Sequence, residues 1–223
     1  MPLTYAPLLK GADYVIHSMG ILLEADYKGV LSGRESPISG LQKAFSSARG
    51  HTPNPLERKQ GEEIKPPQSA NQLTYEMMNR DSAILLAKEA AKEDAAAFAY
   101  ISAAAGFPAL PSRYISTKRE AENVIAAEFP KMRGIFIRPP FMYDSSRPAT
   151  MPMAAMNLAG SVFNGVTRGV LGGVLGSAGV KPLKADVVAD AVVEALSDEN
   201  VRGPVEVPEI EELASKAWRK TML

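Results

Sequence analysis

The chain contains no cysteine and only two histidines, His17 and His51. Disulfides are therefore excluded, and almost nothing remains to build a zinc centre, so no metal site is expected. A cysteine-free chain suits a reducing compartment without separating cytosol from mitochondrial matrix. Charge of one sign is also missing: 25 basic and 25 acidic residues cancel. With no basic tract there is no electrostatic footprint for a nucleic acid. The first residues, Met-Pro-Leu-Thr-Tyr-Ala-Pro, carry neither the apolar run of a signal peptide nor an arginine-rich amphipathic presequence.

What is present is the pattern of one α/β domain, the default for 223 residues. Asp13 to Gly20 is a short apolar run ending in small residues, which suits a buried parallel strand. From about 24 to 74 the composition turns polar and is broken by Pro53, Pro55, Pro66, Pro67 and five glycines. A short helix is expected there near Ile38–Ser47, and loop elsewhere. Tyr75–Lys92 has few breakers and a workable apolar face, so a helix is expected. Ala97–Ser102 is the next buried strand, followed by a turn over Gly106–Pro111 and a long helix from Tyr114 to Glu128. Gly134–Arg138 is a third strand, stopped by Pro139 and Pro140. A helix over Asp186–Leu196, a short strand over Pro204–Val207 and a C-terminal helix from about Glu209 complete the chain. Strands alternating with helices at this spacing imply a parallel sheet.

Within this frame, Tyr114 and Lys118 stand four apart on one helix and project from one face. Ser102 lies twelve residues before the tyrosine, at the carboxyl end of the preceding strand, where open α/β sheets hold their ligands. Asn79 sits in the helix before that strand. Tyr-x-x-x-Lys alone is a weak signal, because both residues are common on solvated helix faces. The ordered series of strand, serine, turn, Tyr-x-x-x-Lys, helix, strand and Arg-Pro is far more specific. The chemistry needs these types: a phenol with pKa near 10 exchanges its proton poorly at neutral pH, and a neighbouring ammonium favours the phenolate.

These features resemble the short-chain dehydrogenase/reductase superfamily, in its extended or atypical branch. The segment Val15-Ile16-His17-Ser18-Met19-Gly20 is similar to the fourth strand of that family, Arg138-Pro139-Pro140-Phe141-Met142-Tyr143 to the segment after its sixth strand, and Pro182 to Ala189 to the helix start near its C-terminus. Four further peptides, His17–Glu24, Glu35–Ile38, Leu73–Ala83 and Tyr100–Gly106, resemble a fungal mitochondrial subfamily implicated in coenzyme Q biosynthesis.

The resemblance implies NAD or NADP as cofactor, with Ser18, Met19, Gly20, Tyr114, Lys118, Arg138, Pro139 and Pro140 lining its nicotinamide end. It implies that Tyr114 is the acid/base, that Lys118 tunes it and binds ribose, that Ser102 orients the carbonyl and that Asn79 supports Lys118 through its backbone or a water. Hydride transfer belongs to the cofactor. A carbonyl, alcohol or quinone-pathway substrate, a mitochondrial location and a mitochondrial protein complex follow from the same resemblance. Two rival readings share the motif: a non-catalytic accessory subunit that keeps the fold, and a nucleotide-sugar epimerase or dehydratase, for which the C-terminal part leaves little room.

The family opens with a strand, a Gly-x-x-Gly-x-x-Gly turn and further βα units, and no such turn follows a strand here. The expected fold is therefore an incomplete Rossmann-like, doubly wound parallel sheet lacking its first βα units: one partial NAD(P)-binding domain over 1–223. Without the backbone amides and helix dipole of that turn, cofactor binding by this chain should be weak or absent. The stretch from Ala149 to Val180 holds seven glycines and one charge, Arg168. It exceeds the ~20 residues of a membrane helix, but its glycines, Asn157, Asn164 and Arg168 argue for a substrate-side segment. A peripheral inner-membrane contact, or a pocket for a prenyl tail, is the sharper alternative.

Overall fold

A computed structural model describes residues 5–22, 73–104, 111–144, 158 and 180–222. The helix expected near Ile38–Ser47 lies outside the described residues, as do almost all of 24–74 and 149–180.

Strand β1 (Tyr14–His17) is followed by a six-residue π-helical turn, Glu76–Asp81, that runs into α1 (Ser82–Lys92). Then come β2 (Ala97–Ile101), α2 (Ser112–Glu128), β3 (Arg133–Ile137) and the two-residue β4 (Met142–Tyr143). The chain closes with β5 (Leu183–Lys184), α3 (Ala185–Ser197), β6 (Gly203–Val205) and α4 (Val207–Lys220). The main sheet has the order β1-β2-β3-β6 and every pairing in it is parallel. It is the Rossmann-like α/β architecture expected from the sequence. Parallel neighbours cannot be joined by a tight turn, which is why helices carry the chain from each strand to the next.

Alternation along the strands divides the interior into two cores. Phe98, Tyr100, Phe136 and Val15 face α1 and α2, where Ala83, Ala87, Ala90, Ala121 and Ile125 meet them. Ala97, Ala99, Ile135 and Ile137 face α3 and α4, against Val188, Ala191, Val192, Ala195, Ile210 and Leu213. Strand β2 is covered on both sides, and its Ala97–Tyr100 stretch is fully buried, so it reads as a continuous apolar run. Strand β1 differs. Val15 and His17 are buried, whereas Tyr14 is 50% and Ile16 46% exposed. Among the described residues it pairs with β2 alone and is an edge strand.

Arg133, at the start of β3, closes the far end of α3. Its guanidinium donates to the carbonyls of Ala195, Leu196, Asp198 and Val201 at 2.7–2.9 Å, and so satisfies orphan acceptors of the last helical turn. Glu194, Lys216 and Lys220 bridge α3 to α4. The ladder of β4 with β5, pairing Met142 with Leu183, was not expected from sequence; two-residue strands carry no periodicity.

Candidate active site

The site is built where β1, β2 and β3 end against the first half of α2. Tyr114 and Lys118 share the inward face of α2, as their spacing requires. The Lys118 Nζ donates to the main-chain carbonyl of Ile101 at 3.0 Å. It lies 5.1 Å from the centre of the Tyr100 ring and 5.8 Å from that of Tyr114, and the side chain is almost completely buried. The Tyr114 hydroxyl makes no hydrogen bond with any described residue. Its ring packs edge-on to Tyr75, with centroids 5.9 Å apart. Tyr75 is fixed in turn by its hydroxyl, which donates to the Leu22 carbonyl at 2.9 Å. The Arg113 guanidinium lies 5.8 Å over the Tyr75 ring and pairs with Glu76.

Asn79 is fully buried in the π-helical turn. Its amide clasps Ile21 from both sides: the Ile21 N–H donates to Oδ1 at 2.9 Å, and Nδ2 donates to the Ile21 carbonyl at 3.2 Å. This holds the exposed Ser18–Met19–Gly20 segment beside Lys118. Only glycine fits at 20, because a Cβ there would stand 2.9 Å from Asn79 Oδ1 and 3.6 Å from Lys118 Nζ. The Asn79 carbonyl accepts the Tyr100 hydroxyl at 2.5 Å. Asn79 therefore clamps the end of β1, where the sequence reading had its backbone serving Lys118.

His17, at the end of β1, is 3% exposed. Ser82 donates its hydroxyl to the Met78 carbonyl at 2.7 Å, so it accepts from His17 Nε2–H at 2.9 Å. The proton is thereby placed on Nε2, and the buried Nδ1 has no partner. Burial, with Lys118 nearby, holds the imidazole down at about 4, and it stays neutral.

Two electrostatic features differ from the sequence expectation. Burial pushes the Tyr114 phenol up to about 12; Lys118 does not bring it down. Burial also lowers Lys118 to about 8, opposed by Glu122 and reinforced by Arg119. In both groups desolvation outweighs the local charges.

The expected convergence of Ser102 on the pair takes another form. The Ser102 hydroxyl donates to Glu122 and accepts from Arg119 Nη1 at 3.0 Å. Arg138 likewise has its guanidinium taken, by Glu122 and by Glu206 at 2.6 Å, which leaves no free fork for a cofactor. Pro139 and Pro140 are buried behind it. Sequence reasoning did not find Glu122, Arg119, Tyr100 or Tyr75. The signal for Glu122 was present, since it continues the spacing of Tyr114 and Lys118 on the same helix face.

Fold and site together define an α/β protein with a Rossmann-like parallel sheet and, at its carboxyl edge, a buried lysine beside a half-buried tyrosine. The chain is 40% identical, over 171 residues and 71% of its own length, to MIOREX complex component 2 of Saccharomyces cerevisiae. It spans 57% of the length of that relative. No family model matches the sequence. Among solved structures it is similar to Pal from Bacillus thuringiensis, at a TM-score of 0.48 and 14% identity over 96% of this chain and 63% of that one. A second likeness is RMD from Pseudomonas aeruginosa, solved with NADPH, at a TM-score of 0.40 and 16% identity over 65% of this chain and 60% of that one.

Proposed function

We propose that the protein is a nicotinamide-nucleotide-dependent oxidoreductase of the short-chain dehydrogenase type. It works in mitochondria as a member of a protein complex and supports coenzyme Q synthesis. The observation that carries the catalytic reading is the Tyr114–Lys118 pair: a buried ammonium and a half-buried phenol on one helix face, at the carboxyl end of a parallel sheet, the phenol without a partner among the described residues. Buried polar groups without such a purpose are costly. The mitochondrial setting and the complex rest on the sequence resemblance and on the complex component to which the chain is similar.

The residues fit the nicotinamide end of such a cofactor. Gly20 leaves open the space that a Cβ would fill beside Asn79 and Lys118, and Ser18 and Met19 are exposed next to it. When bound, the nicotinamide supplies the hydride. Lys118 binds the ribose hydroxyls with its remaining N–H donors, and Tyr114 gives the proton to the reduced carbonyl. Burial raises the Tyr114 phenol to about 12, so it stands protonated at neutral pH, the form a proton donor needs.

The accessory-subunit reading has one observation of its own in favour: the Ser102 hydroxyl is engaged by Glu122 and Arg119, so Ser102 is not free to polarise a carbonyl. Fluorescence titration with NADH and NADPH, followed by turnover of quinone and carbonyl substrates, separates the two. In Tyr114→Phe, binding should persist and turnover vanish; in Lys118→Ala, both should fall. Cofactor binding with unchanged turnover in Tyr114→Phe would leave the accessory reading standing. Binding unaffected by Lys118→Ala would remove the site.

A further inference from the structure

The proposed chemistry leaves without a role a charge cluster centred on one buried carboxylate. Its centre is Glu122, 2% exposed and one turn beyond Lys118 on the same face of α2. Its carboxylate accepts the Ser102 hydroxyl at the end of β2. It also accepts Arg119 Nη1 at 2.7 Å and the fork of Arg138 after β3, with Nε at 3.2 Å from each oxygen. Arg138 Nη1 continues to Glu206 after β6 at 2.6 Å. Arg119 Nη2 donates to the carbonyls of Ala103 and Ala104 at 2.7 and 3.0 Å. A single carboxylate therefore ties the carboxyl ends of β2, β3 and β6 to α2.

Two consecutive residues of the β2 end are held by two consecutive turns of the helix: the Ile101 carbonyl by Lys118 and the Ser102 hydroxyl by Glu122. The charges follow the same division. Glu122 and Glu206 balance Arg119 and Arg138, so the Lys118 ammonium is the charge left over beside the neutral His17. Removing Glu122's charge would leave two guanidiniums without their shared counter-ion, close to a lysine already 4% exposed.

We propose that Glu122 is a positioning residue for the Lys118–Tyr114 pair, fixing the helix register against the strand ends. Ser102 serves this carboxylate and not a substrate carbonyl. The proposal takes Lys118 as a functional residue from the reading above, but its test needs neither cofactor nor turnover.

The groups that face Lys118 are His17 on β1, Tyr100 on β2, Asn79 in the π-helical turn, and Tyr114, Arg119 and Glu122 on α2. Only Glu122 raises its proton affinity; burial and Arg119 lower it. The experiment is a ¹³C-lysine NMR titration of the folded protein, with the Lys118 resonance assigned from its loss in Lys118→Arg. Glu122→Gln keeps the shape and removes the charge, and should lower the Lys118 midpoint by about one pH unit or more. Glu122→Asp should restore most of that midpoint while melting earlier. Ser102→Ala should lower the melting temperature and leave the midpoint within a few tenths of a unit. A folded Glu122→Gln protein with an unmoved midpoint would overturn the proposal and make the cluster purely structural. If Glu122→Gln does not fold, Glu122→Asp decides: a fall of a full unit despite the retained charge overturns it. Turnover unchanged by Tyr114→Phe would defeat the functional reading above and leave this titration legible.

Discussion

The Tyr100 hydroxyl donates to the main-chain carbonyl of Asn79 at 2.5 Å, across the gap between the sheet and the π-helical turn. A π turn shifts the carbonyl–amide register by one residue, and a buried carbonyl needs a donor. Tyr100 supplies it from β2. Tyr100→Phe is expected to remove that hydrogen bond and to lower stability by roughly 0.5–1.5 kcal/mol. Denaturant unfolding measures this. A neutral substitution would mean that the turn rewinds into regular helix.

Lys118 is expected to cost the protein stability. Its folded-state pKa of about 8 lies below the ordinary 10.5. The unfolded chain therefore binds the extra proton between those values, and the penalty is full below pH 8 and gone above 10.5. Lys118→Met should raise the melting temperature at pH 7, with an upper bound of about 3 kcal/mol set by the shift. The unpaired Ile101 carbonyl offsets part of this gain. The advantage should fade as pH climbs from 8 toward 10.5. A less stable variant at pH 7 would contradict the burial argument.

His17 works in the opposite direction on the pH axis. It is neutral when folded, with its pKa lowered from 6.5 to about 4. Stability is complete above pH 6.5 and declines as the pH falls toward 4, by an amount on the order of 3 kcal/mol. Urea unfolding at pH 7.5 and pH 5 should show that decline in the native protein. His17→Gln, which can still donate to Ser82, should show a smaller one. An equal slope in both proteins would place the acid sensitivity elsewhere.

The open side of β1 is the expected origin of self-association. An edge strand with exposed Tyr14 and Ile16 offers unpaired backbone and apolar surface together. Ile16→Lys should reduce light scattering of concentrated protein and leave the unfolding free energy within about 0.5 kcal/mol, as exposed substitutions do. Undiminished scattering would point to another surface.

The strands and helices were legible because local pattern and tertiary role agree. The apolar runs at 97–101 and 133–137 are strands inside the sheet, the run at 14–17 is its half-exposed edge strand, and Tyr114 and Lys118 meet because a helix register brings them together. What could not be read depends on partners distant in sequence. The π winding at Glu76–Asp81 accompanies the pairing of Arg80 with Asp81 and Glu120, and of Glu76 with Arg113. The reassignment of Ser102 and Arg138 required knowing that Glu122 points at both. The sign of the Tyr114 shift was missed because proximity of an ammonium was weighed and desolvation was not.

The sheet divides the molecule into two unequal responsibilities. Every residue of the Tyr114–Lys118 pair and its clamp lies at the strand ends or on the α1–α2 side, while the α3–α4 side is apolar packing closed by Arg133. Lesions behind the sheet, such as Ala191→Asp or Arg133→Leu, would therefore act through dosage. Cells would hold fewer folded copies, each with an intact site, and raising expression or lowering growth temperature would recover the phenotype. A lesion at Lys118 would leave abundance near normal and resist such rescue. Inherited variants of this protein would fall into two groups, those that loosen either core and those that strike the pair itself.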